Sequence, residues 1–265
     1  MIPKPAHLTA DNAARFQDES VVGLYHLRLP YPSEVFPILA GLIADIPRTV
    51  LDVGTGSGPL ARGLAPFVDR VDAVDISAAM IAKGKTLSGG DHPRLHWIEG
   101  AIEDAPLRPP YALIVAGDSI HWTAWDIVFP RFADLLTAQS LVAIVHRTEL
   151  SSPWQGGLDG LIRRYSTMRK YEPFDLIDQL ERRRLFRVAG RRETTPVVSR
   201  QPVGDYIASF HSRSSLSRDH MPPADADAFD QRLRHLVRPW VTGDTLELRT
   251  VGSIVWGTPH RGISA

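Results

Sequence analysis

The chain has 265 residues, room for one α/β domain with insertions or two small domains, and enough to bury roughly 70–75% of its unfolded surface. Thirty Lys and Arg balance thirty Asp and Glu, so no net field draws it toward nucleic acid or an anionic membrane. With no cysteine in the sequence, a disulfide scaffold, a thiolate metal site and cysteine nucleophilic catalysis are excluded.

The opening MIPKPAHLTADN lacks the apolar stretch of a secretory signal. The best apolar run, 35–46, is too short for a membrane span and is broken by Pro37 and Asp45. A cytoplasmic protein with no membrane partner is expected. From about residue 33 to 150 helical and strand-like runs alternate, the pattern of a parallel sheet with crossover helices. Strands are predicted at 49–53, 70–75, 95–99, 111–116 and 141–145, and helices at 33–45, 59–67, 77–86 and 126–137. Ser77, directly before Ala-Ala-Met-Ile-Ala, is placed to cap the third of these helices.

After residue 150 the rhythm changes to longer polar helical stretches at 157–170, 173–184, 203–212 and 224–236. Two strand-like runs remain, 193–199 and 246–256, the second with a break near Gly252. Their separation predicts a closing antiparallel pair with helices inserted around it, and such helices beside a sheet make a natural lid. Six arginines (Arg182, Arg183, Arg184, Arg187, Arg191 and Arg192) crowd residues 181–193. With Phe186 alone to stack a base, they read as a solvated helix face running into a turn more readily than as an anion or nucleic-acid patch.

The segment that carries chemistry is Val50-Leu51-Asp52-Val53-Gly54-Thr55-Gly56-Ser57-Gly58-Pro59-Leu60, an apolar strand emptying into glycines and then a helix. Glycines at alternate positions let the backbone approach a ligand where a Cβ would collide, and open α/β sheets bind ligands at this edge. Pro59 suits the first helical position, which has no N–H to lose. Asp75 ends the next strand, 23 residues beyond Asp52, where a carboxylate can accept both hydroxyls of an adenosine ribose. Asp52 would repel a pyrophosphate but attract an amino group and a sulfonium cation, which favours S-adenosylmethionine over NAD. A nicotinamide-dependent oxidoreductase is also disfavoured because no Tyr-x-x-x-Lys pair is evident. For Asp52, capping of the next turn stays open as the alternative.

Taken in order, LDVGTGSG, VDAVDIS with Asp75, WIEGAIEDAPL and YALIVAGDSIHW resemble the class I S-adenosylmethionine-dependent methyltransferases, especially the small-molecule group called methyltransferase type 11 or UbiE-like. The resemblance covers about residues 15–150 and extends more weakly to YIASFHSRS and VGSIVWGTP. It implies a Rossmann-like class I methyltransferase fold, a mainly parallel seven-stranded sheet with an inserted helical lid, in a single domain over 1–265. The cofactor-binding core would span about 33–146, the lid insertions about 147–245 around a late strand, and the closing strand 246–257. The implied activity is methyl transfer from S-adenosyl-L-methionine to a small-molecule acceptor, without metal or nucleic acid. A repurposed, non-catalytic S-adenosylmethionine-binding protein is the alternative.

Carried over residue by residue, the resemblance places Gly54, Gly56 and Gly58 along the methionine moiety, with Asp52 holding its ammonium directly or through water. Asp75 would take the ribose hydroxyls, with Ile76 against the adenine. Ile102 and Glu103 stand where the family has its adenine contacts, and Ala101 departs from the acid often found there. Asp118, after the fourth strand, would touch the methionine end. His121 is the candidate general base by its titration range, with a packed histidine as the alternative, and Trp122 the candidate pocket wall. The stretch FQDESVVGLYHLRLPYP, 16–32, resembles the family's leading segment that folds over the cofactor. There Arg28 would pair with the methionine carboxylate, and Tyr25, His26 and Tyr31 would face the acceptor.

Overall fold

In the computed structural model, which describes residues 4–168 and 170–260, the apolar runs of the first half pair in parallel. The leading helices α1 (Ala10–Ala14) and α2 (Glu19–Leu24) precede α3 (Val35–Gly41) and the first strand, β1 (Thr49–Val53). Then follow α4 (Pro59–Leu64), β2 (Arg70–Asp75), α5 (Ala78–Thr86), β3 (Leu95–Glu99), β4 (Tyr111–Gly117), α6 (Trp125–Leu135) and β5 (Leu136–Glu149). Every residue of β1, and all of β4 but its last, is buried, as a strand covered on both faces must be. Ser77 caps α5 as expected, its side chain accepting from Met80 N.

The second half adds α7 (Gln155–Tyr165), α8 (Leu176–Arg182), β6 (Phe186–Glu193), β7 (Val197–Pro202), α9 (Val203–Ser209), α10 (Pro223–Val237) and β8 (Thr245–Pro259). The sheet runs β3-β2-β1-β4-β5-β8-β6, with β8 antiparallel to both β5 and β6, and β7 pairs with the first half of β8. Because β1 lies between β2 and β4, successive crossovers leave it in opposite directions. That switch opens a crevice at the carboxyl ends of β1 and β4.

One face of the sheet buries Phe129 and Phe132 of α6 with Ile177 and Leu180 of α8, and the other buries Val35 and Leu39 of α3 with Leu60 and Leu64 of α4. A third core is separate. Trp154, Leu158, Tyr206, Phe229 and Leu233 join α7, α9 and α10 to Leu246 and Leu248 of β8. This helical cap follows the carboxyl end of β5 and therefore stands over the crevice.

Three expectations for the second half are corrected. The late strand expected at 193–199 is two strands, giving eight among the described residues, because the ladder breaks at Thr194, Thr195 and Pro196. Thr194 is turned inward to accept a hydrogen bond from Gly252 N, and proline has no N–H to offer a ladder. Conversely β8 runs unbroken through Gly252, which pairs with Arg147; a Cβ there would lie 2.5 Å from Val35 Cγ2, so glycine is needed for the close approach of α3. The arginine cluster is not one helix face. The helix α8 ends at Arg182, Arg184 turns with φ 56°, and Arg187, Arg191 and Arg192 lie on exposed β6. A strongly charged strand at the sheet margin discourages pairing with another chain. Within the helix expected at 157–170, α7 ends at Tyr165 and Arg169 lies outside the described residues. No described helix is long and apolar enough to cross a membrane.

Candidate functional site

Beyond β1 the chain turns through Gly54, Gly56 and Gly58 at φ 62°, 57° and 74°, left-handed values that glycine adopts without steric cost. A cleft of about 280 Å³ lies between this loop and the ends of β2 and β4. Gly54, Gly56, Asp75, Ile76, Ile102 and Glu103 border it, and Ala13, Phe16 and Tyr25 of the leading segment roof it. The sequence-predicted residues Asp118 and Trp122 close its inner end.

Asp75 is fixed by the loop opposite. Its Oδ2 accepts from Gly56 N at 2.7 Å and its Oδ1 from Ser77 N at 2.8 Å. Burial raises its pKa, while these two N–H bonds oppose the rise. Ile76 is 43% exposed, an apolar side chain left open beside the cleft. Glu103 is held at the rim, its Oε1 accepting from Ala124 N at the start of α6.

One loop residue is corrected. Gly58 does not border the cleft; a Cβ there would stand 2.3 Å from Trp97 Cη2, so glycine is required by packing beneath the loop. Gly58→Ala is expected to cost about 2 kcal/mol of stability, roughly half from the left-handed backbone and half from displacing the indole. Urea unfolding checks this, and ligand affinity of the folded fraction should be unchanged. Asp52 also lies under the loop, 1% exposed. Its Oδ2 accepts from Thr55 Oγ1 at 2.6 Å and Ala61 N at 3.0 Å, the capping role, and it borders not the cleft but an adjoining hollow of about 340 Å³. Burial pushes its pKa up to about 7 against those two hydrogen bonds, with Asp75 raising it further.

The adjoining hollow meets the cleft at Tyr25, Gly54 and Asp118 and is also bordered by Arg28 and His26. Arg28 fastens the leading segment to the cap, donating from Nε to Ser212 Oγ and from Nη2 to Ser212 O, with its guanidinium 4.2 Å above the Tyr25 ring. Three residues expected at the acceptor are thus placed elsewhere. Tyr25 packs over Gly56, His26 is exposed at the adjoining hollow, and Tyr31 is buried with its hydroxyl donating to Asp118 Oδ2 at 3.1 Å.

Asp118, itself at φ 52°, also binds His146: Oδ1 lies 2.9 Å from Nδ1. Burial would raise the Asp118 pKa, but the His146 hydrogen bond and charge, Arg147 and Tyr31 overcome it, so the carboxylate stays ionised. The second imidazole nitrogen of His146 has no partner among the described residues, and the ring borders a chamber of about 1260 Å³ beyond Trp122. A smaller chamber of about 340 Å³ adjoins it, and Trp122 borders both as well as the cleft.

His121 borders the same chambers, but burial pushes its pKa down to about 4 against the pull of Asp118, with His146 lowering it further. At neutral pH it is uncharged and packed 4.9 Å from the Trp122 ring, the packed-histidine alternative to a general base. In the unfolded chain it would titrate near 6.5, so between about pH 4 and 6.5 the folded state binds fewer protons. Stability through this residue is full above that window and lost as pH falls through it, by at most about 3 kcal/mol. Comparing urea unfolding at pH 7 and 4.5 checks this. His121→Gln should show the smaller loss.

Residues 50–139, the stretch from β1 into β5, match the family model described as a methyltransferase domain. This segment is similar to methyltransferase domains. The fold around it is shared with solved structures. A protein assigned as a type II methyltransferase from Anaeromyxobacter dehalogenans is 23% identical, covering 88% of this chain and 99% of its own, with a TM-score of 0.64. A sarcosine dimethylglycine methyltransferase assignment from Galdieria sulphuraria follows at 14% identity, 91% and 99% coverage and a TM-score of 0.53. A methyltransferase assignment from Bacillus halodurans C-125 stands at 14%, 86% and 100%, and 0.52. At these identities the likeness establishes the fold, the Rossmann-like one of class I methyltransferases. No curated protein matches the chain by sequence.

Beside this segment lie groups that sequence reasoning missed. His146 and Arg147 continue β5 directly after the buried run Val142–Val145, and polar residues at the carboxyl end of a strand next to the switch point are the signal that marks them. Arg213 sits in an irregular turn of the cap and carries no local signal at all.

Proposed function

We propose that this chain is an S-adenosylmethionine-dependent methyltransferase acting on a small-molecule acceptor, with the helical insertions of 147–245 serving as its lid. The observation that carries the reading is Asp75, a carboxylate fixed by two backbone N–H groups at the mouth of a cleft with Ile76 and Ile102 beside it. Each oxygen keeps lone-pair capacity for a ribose hydroxyl, and the two isoleucines offer apolar surface to an adenine. Asp52 supports the fit. A carboxyl raised to about 7 by burial is brought back to its ionised form by a cation, and the methionine ammonium is one that would reach the adjoining hollow. Arg28, on the same hollow, is within the lining that would meet the methionine carboxylate.

The bound cofactor supplies an electrophilic methyl group on a sulfonium. The chain's own residues then have three tasks. Phe16 and Trp122, 5.6 Å apart, wall the inner end of the cleft and exclude water. The chambers beyond Trp122 hold the acceptor, and positioning supplies much of the rate. His146, oriented by Asp118, takes the acceptor proton on its free nitrogen. Chambers of this size under a helical cap suit a metabolite. Incubation of the purified protein with S-adenosylmethionine and a panel of hydroxy- and amino-bearing metabolites tests the reading, with S-adenosylhomocysteine and the methylated product followed by mass spectrometry. Acceptor-dependent S-adenosylhomocysteine is expected. Tight binding without turnover on any acceptor would favour a non-catalytic binding protein, and failure to bind the cofactor overturns both.

A further inference from the structure

Three guanidinium groups converge on the smaller chamber from separate parts of the chain: Arg28 in the leading segment, Arg147 on β5 and Arg213 in the cap. Two are held by neutral partners. Arg28 is bonded to Ser212, and Arg147 donates to Leu29 O and stacks 5.1 Å from the Tyr31 ring. The Arg213 guanidinium makes no hydrogen bond or ion pair among the described residues. It lies over the Phe210 ring at 4.4 Å and borders both chambers.

Three guanidinium groups border the chamber against two carboxyls, Glu149 and the ionised Asp118, so positive charge is in excess. Arg213 is exposed, its side chain open to the chambers it lines, and the packing around it, with Arg28 and Arg147 adding, lowers its pKa against the pull of Glu149. Glu149 is the carboxyl facing it, yet burial raises the Glu149 pKa and its Oε1 is buried without a partner. A guanidinium presents a planar fork that matches a carboxylate or phosphate. A hollow with an unpaired fork and two further cations is therefore shaped for an anion.

We infer that the methyl acceptor carries a carboxylate or phosphate group, which seats on Arg213, beside Arg147 and Arg28, in the chamber that opens past Trp122 to the cleft. This specifies the acceptor class and rests on the methyl-transfer reading. Trp122 borders the cleft and both chambers, so an acceptor anchored at Arg213 lies next to the wall of the cleft, and Arg213 shares the larger chamber with His146. A protonated Glu149 would add a donor to the same anion. The competing arrangement, a small rotation that closes Arg213 onto Glu149 as an internal pair, would leave no preference for anions.

Benzoate, phenyl phosphate and the neutral benzamide are the probes, titrated by calorimetry into the protein with and without saturating S-adenosylhomocysteine. At least one anion is expected to bind tenfold or more tightly than benzamide, and the tighter of the two distinguishes carboxylate from phosphate. Arg213→Gln should weaken that anion at least tenfold and leave S-adenosylhomocysteine affinity within twofold, since Arg213 does not border the cleft. If circular dichroism shows that variant unfolded, Arg147→Gln carries the same expectation for the anion alone, since Arg147 also borders the adjoining hollow. Equal binding of benzamide, binding of none of the probes, or an anion affinity indifferent to the folded variant overturns the inference. S-adenosylhomocysteine binding that persists in that event leaves the methyl-transfer reading standing, whereas its absence from the wild-type protein removes that reading alone.

Discussion

Replacing Asp75 by alanine should weaken S-adenosylhomocysteine binding by about 2–4 kcal/mol, roughly 30- to 1000-fold. The figure comes from about 1.5–3 kcal/mol for each hydrogen bond to a charged acceptor, summed with allowance for non-additivity. Part of the loss would be indirect. Gly56 N and Ser77 N both donate to this carboxylate, so alanine also leaves the glycine loop without its anchor opposite. Asparagine separates the two contributions, since it keeps one acceptor oxygen for a backbone N–H but removes the charge that the ribose hydroxyls would meet. The expected order of affinity is wild type, then Asp75→Asn, then Asp75→Ala. A folded alanine variant with unchanged affinity would remove Asp75 from the ribose site.

What could be read in advance divides along physical lines. Strands β1, β2 and β3 fall at their sequence-predicted limits because local apolar runs bounded by Gly, Pro and Ser specify them. The glycine loop, Asp75, Ile76 and the Asp118 turn are legible for the same reason: each is set by a strand end next to the switch point. Where tertiary packing decides, sequence says less. The roles of Gly58 and Asp52 depend on Trp97 and on the N–H of Ala61, partners that spacing does not reveal. Glycine at 252 looked like a strand break, whereas the approach of Val35 requires it inside a continuous strand. The cap was expected as helices, but the convergence of Arg28, Arg147 and Arg213 joins positions as far apart as the leading segment and the turn after α9. Only the folded chain brings them together.

The same distinction governs the last expected result, which concerns two histidines on one wall. His146→Ala should lower turnover by about 100- to 10,000-fold, the range for removal of a positioned general base. Its reasoning is geometric before it is electrostatic. Nδ1 is engaged by a carboxylate held ionised by its surroundings, which leaves the other ring nitrogen free on a ring that borders the chamber. S-adenosylhomocysteine affinity should stay within a few-fold, since the ring does not border the cleft. A base acts only when deprotonated, so the ratio of wild-type to variant kcat must grow as pH rises and then level off. A ratio independent of pH would reduce His146 to a structural partner of Asp118. His121, whose pKa lies near 4, is deprotonated throughout that range and is too weak a base to be worth comparable acceleration. His121→Gln should therefore cost no more than a few-fold in kcat, and the reverse pattern, with His121 essential and His146 dispensable, would return the proton to His121. Asp118→Asn completes the test: an amide keeps the contact at Nδ1 but removes the charge that stabilises the imidazolium, so turnover should fall part-way toward the His146→Ala level, and adding Asp118→Asn to His146→Ala should cost little more.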